Sequence, residues 1–106
     1  MASGSITQVI PEYGKDDKND CYLKLPDGTL IEWGAVVIEA NTSTKNITLP
    51  KELTNKNMLT VQITPITSGY VWNANYSAFT TKIINVGAAP ATSSRNAYWM
   101  VIGRWK

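Results

Sequence analysis

The chain predicts an all-β fold, an antiparallel β-sandwich of about six to eight strands. Three observations carry that expectation. Short runs alternate apolar and polar residues, as between Met58 and Thr64, where Leu59, Val61 and Ile63 fall on one side and Thr60, Gln62 and Thr64 on the other. Clusters of Gly, Pro, Asn and Ser separate these runs, and no stretch carries an apolar stripe at helical spacing. The closing segment, Tyr98 to Lys106, is largely apolar on both faces of an extended strand. Such a strand belongs in the middle of a layered β structure or against a neighbouring subunit.

Residues 1–19 are polar, charged and Gly-containing, and read as a flexible tail or linker in which Met1 to Ser5 looks like an expression scar on a piece of a longer protein. The sandwich domain is placed at 20–106. Asp20 to Leu25 is a short strand, and Pro26-Asp27-Gly28-Thr29 is a hairpin turn, because Pro presets the first dihedral and Gly accepts a positive φ. Thr29 to Glu39 returns as a long strand whose Val36-Val37-Ile38 run is β-branched. Asn46 to Leu49 is a brief strand stopped by Pro50, and Lys51 to Asn57 is one helical turn or an irregular crossing. Met58 to Thr64 and Tyr76 to Val86 are strands, the latter with Phe79, Thr81 and Ile83 on one side. Gly87 to Asn96 is a loop of small and polar residues before the final strand.

A chain of 106 residues has room for one domain. The net charge of +2 is spread without a basic run, which argues against nucleic-acid binding. No apolar stretch is long enough for a helical span, so membrane insertion is not expected. A single cysteine, Cys21, excludes an internal disulfide and reads as a small strand residue.

The chain has no histidine. A Ser/His/Asp triad and a His-containing zinc site are therefore excluded, and one cysteine cannot build a thiolate zinc site. Glu32 and Glu39 lie on one predicted strand at opposite parity and about 23 Å apart, too far for acid/base work on one glycosidic bond. Asp16, Asp17 and Asp20 lack calcium-loop spacing and read as solvated charge. No enzyme activity, metal or cofactor is expected.

Trp33, Trp99 and Trp105 sit within strong strands and read as core. Arg104 is placed to pair with Glu32 or cap an aromatic face. The segment Tyr70 to Tyr76 differs, because it mixes rings with amides and interrupts the strand pattern. Flat rings offer apolar platforms for sugar faces, and Asn both donates and accepts hydrogen bonds. Tyr70, Trp72, Asn73, Asn75 and Tyr76 are thus the candidate ligand contacts. Arg95 and Asn96, at the end of the 87–96 loop, join them as groups for an anionic or polar ligand. The alternative is that the rings cover one end of the sandwich.

Three segments in order also carry a resemblance: Asp27 to Gly34 with its Ile31-Glu32-Trp33-Gly34 ending, Ile47-Thr48-Leu49-Pro50 followed by Met58 to Val61, and the closing Tyr98 to Trp105. Together they resemble the C-terminal tip domains of bacteriophage tail fibres, over residues 20–106. The resemblance implies an extracellular, virion-borne β-sandwich knob, usually a homotrimer, that contacts a host surface polysaccharide or receptor without catalysis. Two other readings stay open: a structural domain that trimerises and caps a fibre, or a carbohydrate-binding module of a secreted enzyme.

Overall fold

The computed structural model describes residues 11–57, 59–67 and 70–106. The expected scar and most of the expected tail lie outside them, as do Met58, Ser68 and Gly69. Eight strands form among the described residues: β1 (Glu12–Lys15), β2 (Cys21–Lys24), β3 (Thr29–Ile38), β4 (Thr44–Thr48), β5 (Thr60–Pro65), β6 (Trp72–Ala74), β7 (Ile83–Ala88) and β8 (Arg95–Arg104). They build two antiparallel sheets, one in the order β1-β2-β3-β8-β5 and one in the order β4-β7-β6. The all-β expectation holds, and among the described residues the helical content is a single 3₁₀ turn at Tyr76–Ala78.

The central pair of the larger sheet is β3 with β8, in register from Thr29 opposite Arg104 to Ile38 opposite Arg95. The closing strand is therefore interior to its sheet, flanked by β3 and β5. Its last turn is stitched to the Pro26-Asp27-Gly28 hairpin. The Trp105 backbone N–H donates to Gly28 O at 2.9 Å, and the indole N–H donates to Leu25 O at 2.8 Å. Gly28 is needed in that hairpin, because its φ of 101° strains any L side chain. Arg104 also reaches this turn, donating to Asp27 O at 2.6 Å. It does not pair with Glu32, which projects from the opposite face of the sheet.

Between the sheets lie Leu30, Val36 and Ile38 of β3, Ala97, Trp99 and Val101 of β8, and Ile47, Ile84 and Val86 of the smaller sheet. Leu49, Leu53 and Phe79 close the ends from connecting segments. Trp99 is core as expected and Trp105 packs against it, but Trp33 projects from the outer face of the larger sheet, tilted against Tyr13 at 6.2 Å.

Two local expectations change. Glu12–Lys15, read as part of the tail, is strand β1, paired with β2 from Glu12 opposite Lys24 to Lys15 opposite Cys21. The acidic residues that read as solvated charge make its turn: Asp16 Oδ1 accepts from the Lys18 and Asp20 backbone N–H groups, and Asn19 takes a left-handed φ of 66°. The second change concerns Tyr76 to Val86, which is not one strand. Thr80 Oγ1 accepts from the N–H groups of Lys82 and Ile83, a side-chain turn that delays β7 until Ile83. Ile84, Val86 and Ala88 then face inward and Ile83 outward. A one-residue shift reverses every face of a strand.

Candidate functional site

The outer face of the three-stranded sheet carries a row of asparagines. In β4 and β7, Asn46 stands opposite Asn85. In β6, Asn73 stands opposite Gly87, and Asn75 extends that strand by donating its backbone N–H to Asn85 O at 2.9 Å. The side-chain amides form one directional chain: Asn73 Nδ2 donates to Asn75 Oδ1 at 2.8 Å, Asn75 Nδ2 to Asn85 Oδ1 at 2.6 Å, and Asn85 Nδ2 to Asn46 Oδ1 at 2.7 Å. Gly87 makes room for this chain, because a Cβ there would stand 2.7 Å from Asn73 Oδ1.

Each amide has two N–H donors and a carbonyl oxygen with two lone pairs. The chain uses one donor and one lone pair at each inner member, so Asn75 and Asn85 keep capacity on both sides. At its ends Asn46 keeps both donors and Asn73 its carbonyl oxygen. Asn46 and Asn73 are exposed, while Asn75 and Asn85 are half-buried. Chained amides polarise one another, which strengthens the free groups. The paired strands project no charge beside the row: Thr44 and Thr48 flank Asn46 on the same face of β4, and Ile83 and Gly87 flank Asn85 on β7. The face therefore suits a neutral ligand rich in hydroxyl groups, each of which donates and accepts.

Tyr76 borders the row immediately after Asn75. Its hydroxyl donates to Lys56 O at 2.9 Å and its ring packs on Phe79 at 5.1 Å, so the exposed ring is held in a fixed orientation. It offers a flat apolar edge beside the amides.

The structure divides the seven residues expected from sequence. Asn73, Asn75 and Tyr76 come together at the amide row. Trp72 turns inward opposite Ala88 and packs against the core, and its indole nitrogen is buried. Arg95 is fully buried, which removes it from any ligand surface. Its guanidinium donates to Ala89 O, to Glu39 O at 2.9 Å and to Thr42 O at 2.7 Å, while Nε donates to Ser93 O at 3.2 Å. The loop expected to recognise ligand is thus pinned by Arg95, with the half-buried Tyr70 ring 5.7 Å from it. Asn96 is exposed, but it projects with Tyr98 from the outer face of the larger sheet, on the other side of the sandwich.

Residues 24–104 match the family described as tail fiber protein gp53-like, C-terminal. The chain belongs to this family. The tail-fibre resemblance carried by Trp33-Gly34 and the closing strand is thereby borne out. No match to a curated protein accompanies it. Among solved structures, the gp53-like chain is similar to an N-truncated R2-type pyocin tail fiber, with a TM-score of 0.72 at 16% identity over 97% of this chain. It is also similar to an R2 pyocin fiber of P. aeruginosa, with a TM-score of 0.70 at 14% identity over 91% of this chain. At these identities the likeness is one of fold. The gp53-like chain spans 41% and 26% of those two proteins.

Two members of the amide row, Asn46 and Asn85, escaped the sequence reading of this gp53-like domain. They lie far from Asn73 along the chain, and only the pairing of β4, β7 and β6 brings them beside it. A usable signal was present in Asn85 itself, a polar residue interrupting the apolar run Ile83-Ile84-Asn85-Val86.

Proposed function

We propose that this tail-fibre domain is an adhesive tip that holds a phage particle to its host by reversible, non-catalytic binding of a neutral surface polysaccharide along the amide row. The directional chain Asn73-Asn75-Asn85-Asn46 carries this reading, since it leaves matched donors and acceptors on an uncharged, exposed sheet face. Individual contacts of this kind are weak. Several copies on one particle multiply them, because each further contact after the first is made at high effective concentration.

The test replaces Asn85 with Leu, which keeps volume and interrupts the chain at its centre. Binding of the labelled domain to immobilised bacterial surface polysaccharides and to whole cells should fall at least about tenfold, the loss of roughly 1.4 kcal/mol. Its melting temperature should stay within a few degrees of the parent. Unchanged binding would remove the row from recognition. If the parent domain binds neither polysaccharides nor cells, the adhesive reading itself fails.

A further inference from the structure

At the edge of the sandwich where β4 faces β3, a slot of about 250 Å³ opens between the two strands. One wall is the free edge of β3. Strand β2 covers β3 only as far as Trp33, opposite Cys21, and before Cys21 the chain folds back at Asn19. The Leu25 N–H donates to Thr29 O directly across this ladder, so odd-numbered residues of β3 turn their backbone groups to that side. Ala35 and Val37 therefore direct N–H and C=O groups at the slot, beyond the reach of β2. The other wall is the free edge of β4. Leu49 N–H donates to Lys82 O and Ala88 N–H to Ser43 O, so β4 bonds β7 through its odd-numbered residues. Asn46 thus turns its backbone to the slot while its side chain ends the amide row. Asp20, 7% exposed, lines the slot and fills the space that a Cβ on Gly34 would take. Its backbone N–H is bonded to Asp16 Oδ1, but among the described residues its carboxylate accepts no hydrogen bond. Lys18 Nζ stands 3.7 Å from Asp20 Oδ2 and is bonded instead to Thr48 O at 3.0 Å.

We propose that this slot is a subsite for the acetamido group of an N-acetylated amino sugar, in a polysaccharide that lies along the amide row. The inference rests on the polysaccharide reading and names the class of sugar. An acetamido group brings one N–H donor, one carbonyl acceptor and one methyl. The slot holds the complement of each: the Asp20 carboxylate for the N–H, the edge N–H groups of Ala35 and Val37 for the carbonyl, and Val36 and Ile47 for the methyl. A buried carboxylate without a donor is costly, and an entering N–H relieves that cost. The chemistry also selects against a free amine. Lys18 already stands beside Asp20, so an ammonium would meet a like charge where a neutral amide would not. Lys45 and Glu39, also on the slot, are paired with each other at 2.9 Å. The volume is below the roughly 300–1,000 Å³ of pockets for drug-sized ligands, which suits one substituent rather than a length of chain. Asn46 belongs to both places, so a saccharide leaving the end of the row passes the mouth of the slot.

Calorimetric titration of the 106-residue chain tests this with three tetrasaccharides of one linkage that differ in a single ring substituent. Chitotetraose carries acetamido groups, its de-N-acetylated form carries amines, and cellotetraose carries hydroxyls. Chitotetraose should bind at least about tenfold more tightly than cellotetraose, because a site with buried polar groups rejects the analogue that leaves them unpaired. The amine form should bind no better than cellotetraose. Asp20→Ala removes the acceptor and should bring chitotetraose and cellotetraose within about twofold of each other, with a circular dichroism spectrum like the parent's. Should that variant fail to fold, Asp20→Asn keeps the side-chain shape, replaces a charged acceptor by a neutral one and should cut the preference at least about threefold. Four results would overturn the inference: tighter binding of the amine form, equal binding of chitotetraose and cellotetraose, a preference retained in the folded variants, or no tetrasaccharide bound at all. In each case, binding of bacterial polysaccharides that is lost in Asn85→Leu would leave the amide row standing.

Discussion

Among the described residues three charged side chains are buried, Asp20, Glu32 and Arg95, and their surroundings tell them apart. Arg95 is surrounded by carbonyl oxygens of Glu39, Thr42, Ala89 and Ser93, so one side chain ties two loops to the start of β8. Arg95→Ala should cost at least about 3 kcal/mol, because each acceptor left unpaired in the interior costs about 1–3 kcal/mol. Urea unfolding measures this directly, and a loss below 1 kcal/mol would mean that water replaces the guanidinium. Glu32 behaves differently. Its Oε1 accepts the Lys51 backbone N–H at 2.7 Å while Oε2 has no protein partner. Burial pushes its carboxyl up from 4.5 to about 7, against the opposing Lys51 N–H and Lys82 charge, with Asp16 adding to the rise. Between those pH values the folded chain holds a proton that the unfolded chain has released. The contribution of Glu32 to stability is therefore full below pH 4.5 and is lost as pH rises to about 7, by on the order of 3 kcal/mol. Asp20, raised by burial and then by Asp16, acts in the same direction. The melting temperature should be lower at pH 8 than at pH 5, and Glu32→Gln should remove most of that difference by stabilising the protein at pH 8. A parent protein whose melting temperature is flat across this range would show that Glu32 is ionised throughout.

At the scale of elements, strands were legible wherever alternation was clean. Leu59, Val61 and Ile63 are half-buried and Thr60, Gln62 and Thr64 exposed, as the pattern requires. Legibility failed where a side chain, rather than an apolar period, controls the backbone. Thr80 inserts a turn before β7 and shifts its faces by one residue, and Asp16 builds the β1–β2 turn inside a segment whose composition resembles a linker. The edge strand β6 is short, and Trp72 anchors it to the core through its contact face opposite Ala88. Trp72→Ala should therefore destabilise the domain by on the order of 2 kcal/mol, as expected for truncating a half-buried ring. Thermal melting with the saccharide-binding assay separates this from a ligand role: any loss of binding should track the fraction unfolded. Loss of binding at an unchanged melting temperature would return Trp72 to the binding surface.

For the whole molecule, the two sides of the sandwich divide the chemistry. One sheet shows water a row of neutral amides, and the other shows branched aliphatics and rings around Trp33 and Tyr98. That division follows from the sheet order, because β3 and β8 at the centre of the larger sheet have apolar residues at both parities. Three of the five residues of the candidate site were readable locally, since Asn73, Asn75 and Tyr76 lie within one short segment. Arg95 was misread because two of the carbonyls that engage it, those of Glu39 and Thr42, come from a loop remote from it along the chain.

The sequence by itself determined the fold class, the turn at Gly28, the interior place of the closing strand and the tail-fibre family. Each depends on residue order within a short window: alternation, a positive-φ glycine, or a motif ending in Ile102-Gly103. The tertiary structure decided which polar residues share a face. Antiparallel pairing joins residues with no local relation, so Asn46, Asn85 and Asn73 became one row only when β7 paired with β4 on one side and β6 on the other.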